Sequence, residues 1–355
     1  MTRIFRAIPP LAVFVAGGLA AFAAVGCAPV NTSYTDPWHD RLAAAGIVEK
    51  SAAIGGVVMN YAEGPDKGPA LLLLHAQHMD WYSYSRVLPE LSTCFHVFAV
   101  SYHGHGKTAA PADFMSATRI GGDLAVFIET VIGGPAYVTG NSSGGLLATW
   151  LAANRSDLVR AVLLEDPPLF TAEYPRSKTT IAYRTFTTAH EYLKNNDGEG
   201  DFLLYWLDSN KGFIKNRGGP GSLEMLVSSI GKYRRANPGR PVELNFLPDI
   251  LRLFVRGMNC YDPCFGDAFY DGRWNEGFNH ADALERITCP VLLLHADFDT
   301  LEDGTLNGAM NQADADRAVS LLAHCEYVRI RAAHTVHIDK PEVFIGLAKS
   351  FFLGG

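Results

Sequence analysis

Gly140-Asn141-Ser142-Ser143-Gly144 stands between two runs of opposite character. Before it, Ala136-Tyr137-Val138-Thr139 is apolar and β-type; after it, Leu146-Leu147-Ala148-Thr149-Trp150-Leu151 reads as helix. A G-x-S-x-G pentapeptide in that setting is a nucleophile elbow: the turn is too tight for side chains at the flanking glycines, and it exposes the central serine hydroxyl. Reading Ser143 as the centre would need glycine where Asn141 stands, so Ser142 is the candidate nucleophile. The turn also demands a strand feeding directly into a helix, which few architectures other than a layered α/β sheet supply.

The rest of the chain keeps that rhythm from residue 51 onward. Strand-length apolar runs fall at Gly56–Tyr61, Ala70–Leu74, His96–Val100, Ala136–Thr139, Val159–Leu164, Val291–Leu294 and Glu326–Ile330. Continuous runs such as Leu71-Leu72-Leu73-Leu74 suit strands buried on both faces of a parallel sheet. Helices are expected near 81–91, 117–132, 145–155, 314–323 and 341–352, which predicts a doubly wound, mostly parallel α/β sheet. Residues 167–285 break the alternation with aromatics, Pro and Gly, and read as mainly helical over Thr179–Lys194 and Pro248–Met258. An insertion there, after the sixth strand, is where a cap would cover the carboxyl ends of the strands. The core is then 51–166 and 286–355, the cap 167–285, and 27–50 a tether with a first helix ending near Gly46.

Residues 1–26 read as an export leader. Arg3 and Arg6 precede an apolar Leu11–Gly26 run that is short for a membrane span. Small residues before Cys27 resemble a bacterial lipobox, with Ala24 where Leu is usual, so Cys27 is the expected lipidation site. The expected location is outside the cytoplasm: lipid-anchored to the bacterial cell envelope, or else secreted or periplasmic. Cys260 and Cys264 are close enough in sequence to bridge in an oxidising compartment, and equally suit buried thiols. A net charge of −7 with no basic stripe argues against nucleic-acid binding. No paired CxxC units and no HExxH occur, so neither a metal nor any other cofactor is expected.

A serine hydroxyl needs a nearby base. His334 opens the loop after the last strand, in Arg331-Ala332-Ala333-His334-Thr335-Val336-His337, and is the expected base; His337, beside the final helix, suits a structural hydrogen bond. Two backbone N–H groups are expected to face a developing oxyanion: that of Ser143, at a helix N-terminus, and that of Gln77, in the loop His75-Ala76-Gln77-His78. For the acid that orients the imidazole, two positions compete. Asp299 follows the strand Val291–Leu294, with Asp297 one pleat away; Glu165 ends the strand Val159–Leu164, with Asp166 beside it.

Order and motifs resemble the α/β-hydrolase superfamily over everything after residue 50. Ser101-Tyr102-His103-Gly104-His105-Gly106-Lys107-Thr108 is similar to its D-x-R-G-H-G-x-S turn, with Ser101 for Asp and His103 for Arg. The chain also resembles bacterial zearalenone lactonases. That resemblance is carried by Phe95–Val100, Gly140–Ala148 and Glu165-Asp166, and by Tyr261-Asp262-Pro263, Phe265-Gly266, Ala268-Phe269 and Gly308–Met310. It implies an acid at Glu165-Asp166, which puts Glu165 first and Asp299 second, with Asp166 and Asp297 behind them. The expected activity is hydrolysis of a small hydrophobic carboxylic ester, or of a macrocyclic lactone of the zearalenone type. The alternatives are another esterase or haloperoxidase-like enzyme of this fold, and a ligand-binding sensor on the same scaffold at the cell surface.

Overall fold

The computed structural model describes residues 31–196 and 200–354. The leader 1–26, Cys27 and the first residues of the tether lie outside them. The strands in chain order are β1 (Val48–Ile54), β2 (Val57–Glu63), β3 (Ala70–Leu74), β4 (His96–Ser101), β5 (Ala136–Asn141), β6 (Val159–Glu165), β7 (Val291–His295), β8 (Asp299–Thr300), β9 (Leu306–Asn307) and β10 (Cys325–Arg329). Eight of these form one sheet in the order β1-β2-β4-β3-β5-β6-β7-β10, while β8 and β9 make a separate hairpin. β1 and β2 pair antiparallel, as do β2 and β4; the neighbours from β4 through β10 are parallel.

The parallel strands are buried because helices cover both faces of the sheet. All four leucines of β3 are wholly buried, and each such side chain contributes about 1.5–3 kcal/mol of transfer free energy. Register lines up the carboxyl ends: Leu74 lies opposite both Val100 and Gly140, and Gly140 lies opposite Leu164. The loops leaving these strands therefore share one rim. β1 was not anticipated, because Val48-Glu49-Lys50-Ser51 is exposed at the sheet edge and carries no apolar run.

Helices Ala117–Phe127 and Ser143–Asn154 pack so closely that a Cβ on Gly121 would lie 2.2 Å from the Trp150 ring. Between β6 and β7 the inserted segment forms the cap. It is built from helices Ala182–Asn196, Phe202–Ser209, Lys211–Gly218, Ser222–Ala236, Asp249–Met258 and Pro263–Tyr270. Helix His280–Arg286 packs back on Ser143–Asn154.

Buried charges tie the cap to the core and to the N-terminal segment. Arg256 reaches Asp80 at 3.2 Å and Glu243 at 2.6 Å. Glu243 also accepts hydrogen bonds from the Asp36 N–H at 3.0 Å and from His39 Nε2 at 2.8 Å. Arg252 Nε lies 2.8 Å from Asp36 Oδ2. With each charge partnered, the network avoids the several kcal/mol that a lone buried ion costs. Cys260 and Cys264 are free thiols.

Candidate active site

Ser142 sits at the end of β5 with φ 56° and ψ −120°, a region few side-chain-bearing residues adopt. The flanking glycines are obligatory for steric reasons. A Cβ on Gly140 would lie 2.1 Å from the Gly144 carbonyl oxygen, and one on Gly144 would lie 2.1 Å from that of Leu74. The elbow thus wedges its turn between β5 and the end of β3. Ser143 is the first residue of helix Ser143–Asn154, where backbone N–H groups have no acceptor within the helix.

His334 lies in the loop after β10, nearly fully buried. The Asn141 side-chain amide donates to the carbonyl oxygens of His334 (2.9 Å) and Glu165 (3.0 Å), linking the elbow, the histidine loop and the end of β6. The His334 ring meets a carboxylate through Nδ1, and that carboxylate is Asp166: Nδ1 to Oδ2 is 2.6 Å. The other Asp166 oxygen, Oδ1, accepts the Ala296 N–H at 3.0 Å. Asp166 has φ +46°, a left-handed conformation in which Asp is enriched among non-glycine residues.

The favoured expectation, Glu165 against His334, is corrected here. β6 runs one residue beyond the expected end, with Glu165 paired to Asn141 in the ladder. Glu165 is fully buried and accepts hydrogen bonds from the His337 N–H at 2.8 Å and from its ring Nδ1 at 2.8 Å. The chain turns at Asp166, so the carboxylate on the His334 side is its neighbour's. Asp299 is likewise not at His334: it lies in the β8–β9 hairpin opposite Asn307 and accepts the Thr300 N–H at 2.7 Å. Asp297 pairs instead with Arg329 at 3.3 Å. Two carboxylates and two imidazoles thus make two separate pairs, Asp166–His334 and Glu165–His337. The His337 ring stacks on Tyr84 at 4.2 Å.

Ser142, Ser143, Gln77 and His334 line one cavity of about 190 Å³ under the cap. Its far walls are mostly apolar, including Phe186, Trp206, Phe213, Ile250, Phe254 and Phe269. Of the larger aromatics, Trp206 faces this cavity, whereas Trp81, Tyr82, Tyr84 and Trp274 are buried elsewhere in the fold. The Gln77 side chain donates to the Tyr261 hydroxyl at 2.6 Å. Next to it the cap helix Asp249–Met258 presses on the loop: a Cβ on Gly257 would lie 2.1 Å from the His78 carbonyl oxygen. Burial pushes His75 and His78 down to about 3, so both imidazoles are neutral.

A serine at a strained elbow, a carboxylate-held imidazole and an apolar cavity with helix N-terminal N–H groups are suited to acyl transfer. Residues 71–347 match the family model described as "Alpha/beta hydrolase family". A pyrrolizixenacetamide deacetylase of Xenorhabdus hominickii is 22% identical, the match covering 81% of this chain and 92% of that one. A pimeloyl-[acyl-carrier protein] methyl ester esterase of Neisseria meningitidis is 31% identical over 36% of this chain and 42% of its own length. Among solved structures, an enol-lactonase from Burkholderia xenovorans has a TM-score of 0.61 at 18% identity, covering 86% of this chain and all (100%) of that one. A carboxylesterase from Bacillus subtilis has a TM-score of 0.60 at 18% identity, covering 90% and 96%.

Proposed function

Since the chain belongs to the alpha/beta hydrolase family, we propose that it cleaves a small hydrophobic carboxylic ester through an acyl-enzyme on Ser142. The observation that carries this reading is the Asp166–His334 pair, 2.6 Å apart, whose histidine lines the cavity that also holds Ser142. In this reading Ser142 Oγ attacks the acyl carbon as His334 Nε2 takes its proton. Negative charge then builds on the former carbonyl oxygen, stabilised by the backbone N–H groups of Ser143 and Gln77. Collapse expels the alcohol oxygen, which receives the proton from Nε2. Water, deprotonated by the same nitrogen, releases the acid. Asp166 holds the Nδ1–H tautomer and balances the imidazolium.

The finer reading is a lactone, macrocyclic and of the zearalenone type. The apolar cap cavity supports it, as does the enol-lactonase likeness in fold. In a lactone the leaving alcohol stays tethered to the acyl group, so the product is a single hydroxy acid. A panel of p-nitrophenyl esters and zearalenone, run on the wild type and Ser142→Ala, tests both levels. Loss of fluorophosphonate labelling and of turnover in Ser142→Ala, with labelling kept in Ser143→Ala, is the expected result. Equal labelling of wild type and Ser142→Ala rejects the nucleophile; ester turnover without ring opening rejects only the lactone.

Cys27 as a lipidation site, and with it a lipid anchor in the bacterial envelope, stays a proposal about residues outside those described. Envelope-expressed protein is expected to partition into detergent and carry lipid mass, and a soluble product with an unmodified N-terminus rules the anchor out.

A further inference from the structure

We propose that Tyr102 is the positioning residue that aims the two oxyanion N–H groups at one point. This rests on the reading of Ser142 as nucleophile and adds a residue that takes no part in its chemistry. The register explains how Tyr102 gets there. β3 is flanked by β4 and β5, with Leu74 opposite Val100 on one side and Gly140 on the other. Two residues past that row stand Tyr102 on one side and Ser142 on the other, with the Gln77 loop between them.

The Tyr102 hydroxyl makes one contact to each half of the candidate oxyanion site. It donates to the His75 carbonyl oxygen at 2.9 Å, fixing the peptide that leads into Ala76-Gln77. It also lies 2.9 Å from Ser143 Oγ. A phenol has one proton, and the carbonyl can only accept, so the Ser143 hydroxyl is the donor to Tyr102. The ring stacks on His75 at 4.2 Å and is wholly buried, which leaves it no freedom to follow a shifted loop. Burial raises the phenol well above its ordinary range, so the donor proton is kept. The same His75 carbonyl is pressed from the other side by the elbow, 2.5 Å from where a Cβ of Gly144 would stand. One hydroxyl thus sets the spacing of two loops whose N–H groups have to converge within a few tenths of an ångström.

Tyr102→Phe keeps the ring and deletes both bonds; Ser143→Ala deletes one of them and keeps the backbone N–H. Each is compared with the wild type and Ser142→Ala for kcat and KM, normalised by active-site titration. Inhibition by an alkyl trifluoromethyl ketone, which forms the oxyanion, is measured beside the matching methyl ketone, which only fills the cavity. Expected for Tyr102→Phe is a drop of about tenfold in kcat and in trifluoromethyl-ketone affinity, short of losing a donor outright. KM and methyl-ketone affinity are expected to stay within about twofold, and the double variant to be no worse than Tyr102→Phe alone. An unchanged kcat, or equal weakening of both ketones, overturns the inference. Should Tyr102→Phe not fold, Ser143→Ala carries the same test from the other end of the bond. Activity persisting in Ser142→Ala would instead overturn the nucleophile reading itself.

Discussion

Replacing Asp166 by Asn tests the assignment of the orienting acid most directly, because the two oxygens of Asp166 have different partners. Oδ1 accepts the Ala296 N–H and Oδ2 faces His334 Nδ1. An amide has one acceptor and one donor end, so one partner has to lose. Ala296 offers only a fixed N–H, which claims the amide oxygen. The NH2 then faces His334 Nδ1, turns that nitrogen into an acceptor and moves the ring proton to Nε2, where it can no longer take a proton from Ser142. The magnitude follows from two effects. Losing a carboxylate about 4 Å from the centre of an imidazolium is worth about 4 kcal/mol at an effective dielectric near 20, or roughly 10³ in rate. The wrong tautomer raises the loss towards about 10⁴ in kcat. Stopped-flow and steady-state turnover of a p-nitrophenyl ester measure it, with circular dichroism and thermal melts to verify folding. Glu165→Gln run in parallel is expected to lose about 1–3 kcal/mol of stability through its buried contacts to His337, but no more than about tenfold in kcat. Asp299→Asn is expected to be silent. A near-normal Asp166→Asn with a crippled Glu165→Gln or Asp299→Asn would refute the reasoning.

Three further outcomes follow from burial and strain. His75, His78 and His280 are held neutral by burial, at about 3 against 6.5 when unfolded, so the unfolded chain binds more protons between those values. Stability is therefore complete above about pH 6.5 and falls below it, by up to about 1.4 kcal/mol per pH unit for each imidazole. A melting temperature flat from pH 7.5 to 5.5 contradicts this. Ser142→Gly removes the Cβ from a backbone at φ 56° and relieves about 1–3 kcal/mol of strain. It should melt no lower than Ser142→Ala despite the extra chain entropy of Gly, and a clearly less stable Gly variant counts against the strain. Arg256→Met leaves Asp80 and Glu243 without their shared cation and is expected to cost about 3–5 kcal/mol in urea unfolding; a loss under about 1 kcal/mol would mean the network is hydrated.

The doubly wound sheet was legible because strands such as Leu71–Leu74 are apolar throughout and bounded by turn residues. β1 was not, since an edge strand with one solvated face carries no such run. The elbow and His334 were legible from motif and order. The carboxylate that meets the His334 ring was not, and the reason is one residue of strand length. With β6 ending at Leu164, Glu165 would be the first side chain free to turn towards His334. The strand continues through Glu165, so that role falls to Asp166, and strand ends are where pattern carries least information. The apolar walls of the cavity come from cap helices whose docking depends on partners far away in sequence, which no local pattern records.

The network that joins Asp36 to Glu243 spans 207 residues. The segment carrying Asp36 and His39 leaves the ribosome early, yet its partners are made only when the cap has been translated. Until then Asp36, Glu243, Arg252 and Arg256 are hydrated charges with no reason to associate, and long-range closures of this kind are slow. The segment carrying Asp36 is thus made long before the cap that holds it, and is expected to be among the last parts of the fold to be fastened. A short pulse of hydrogen exchange during refolding should find its amides protected after those of β3 and β5, and protection of Asp36 ahead of the sheet would reverse that order.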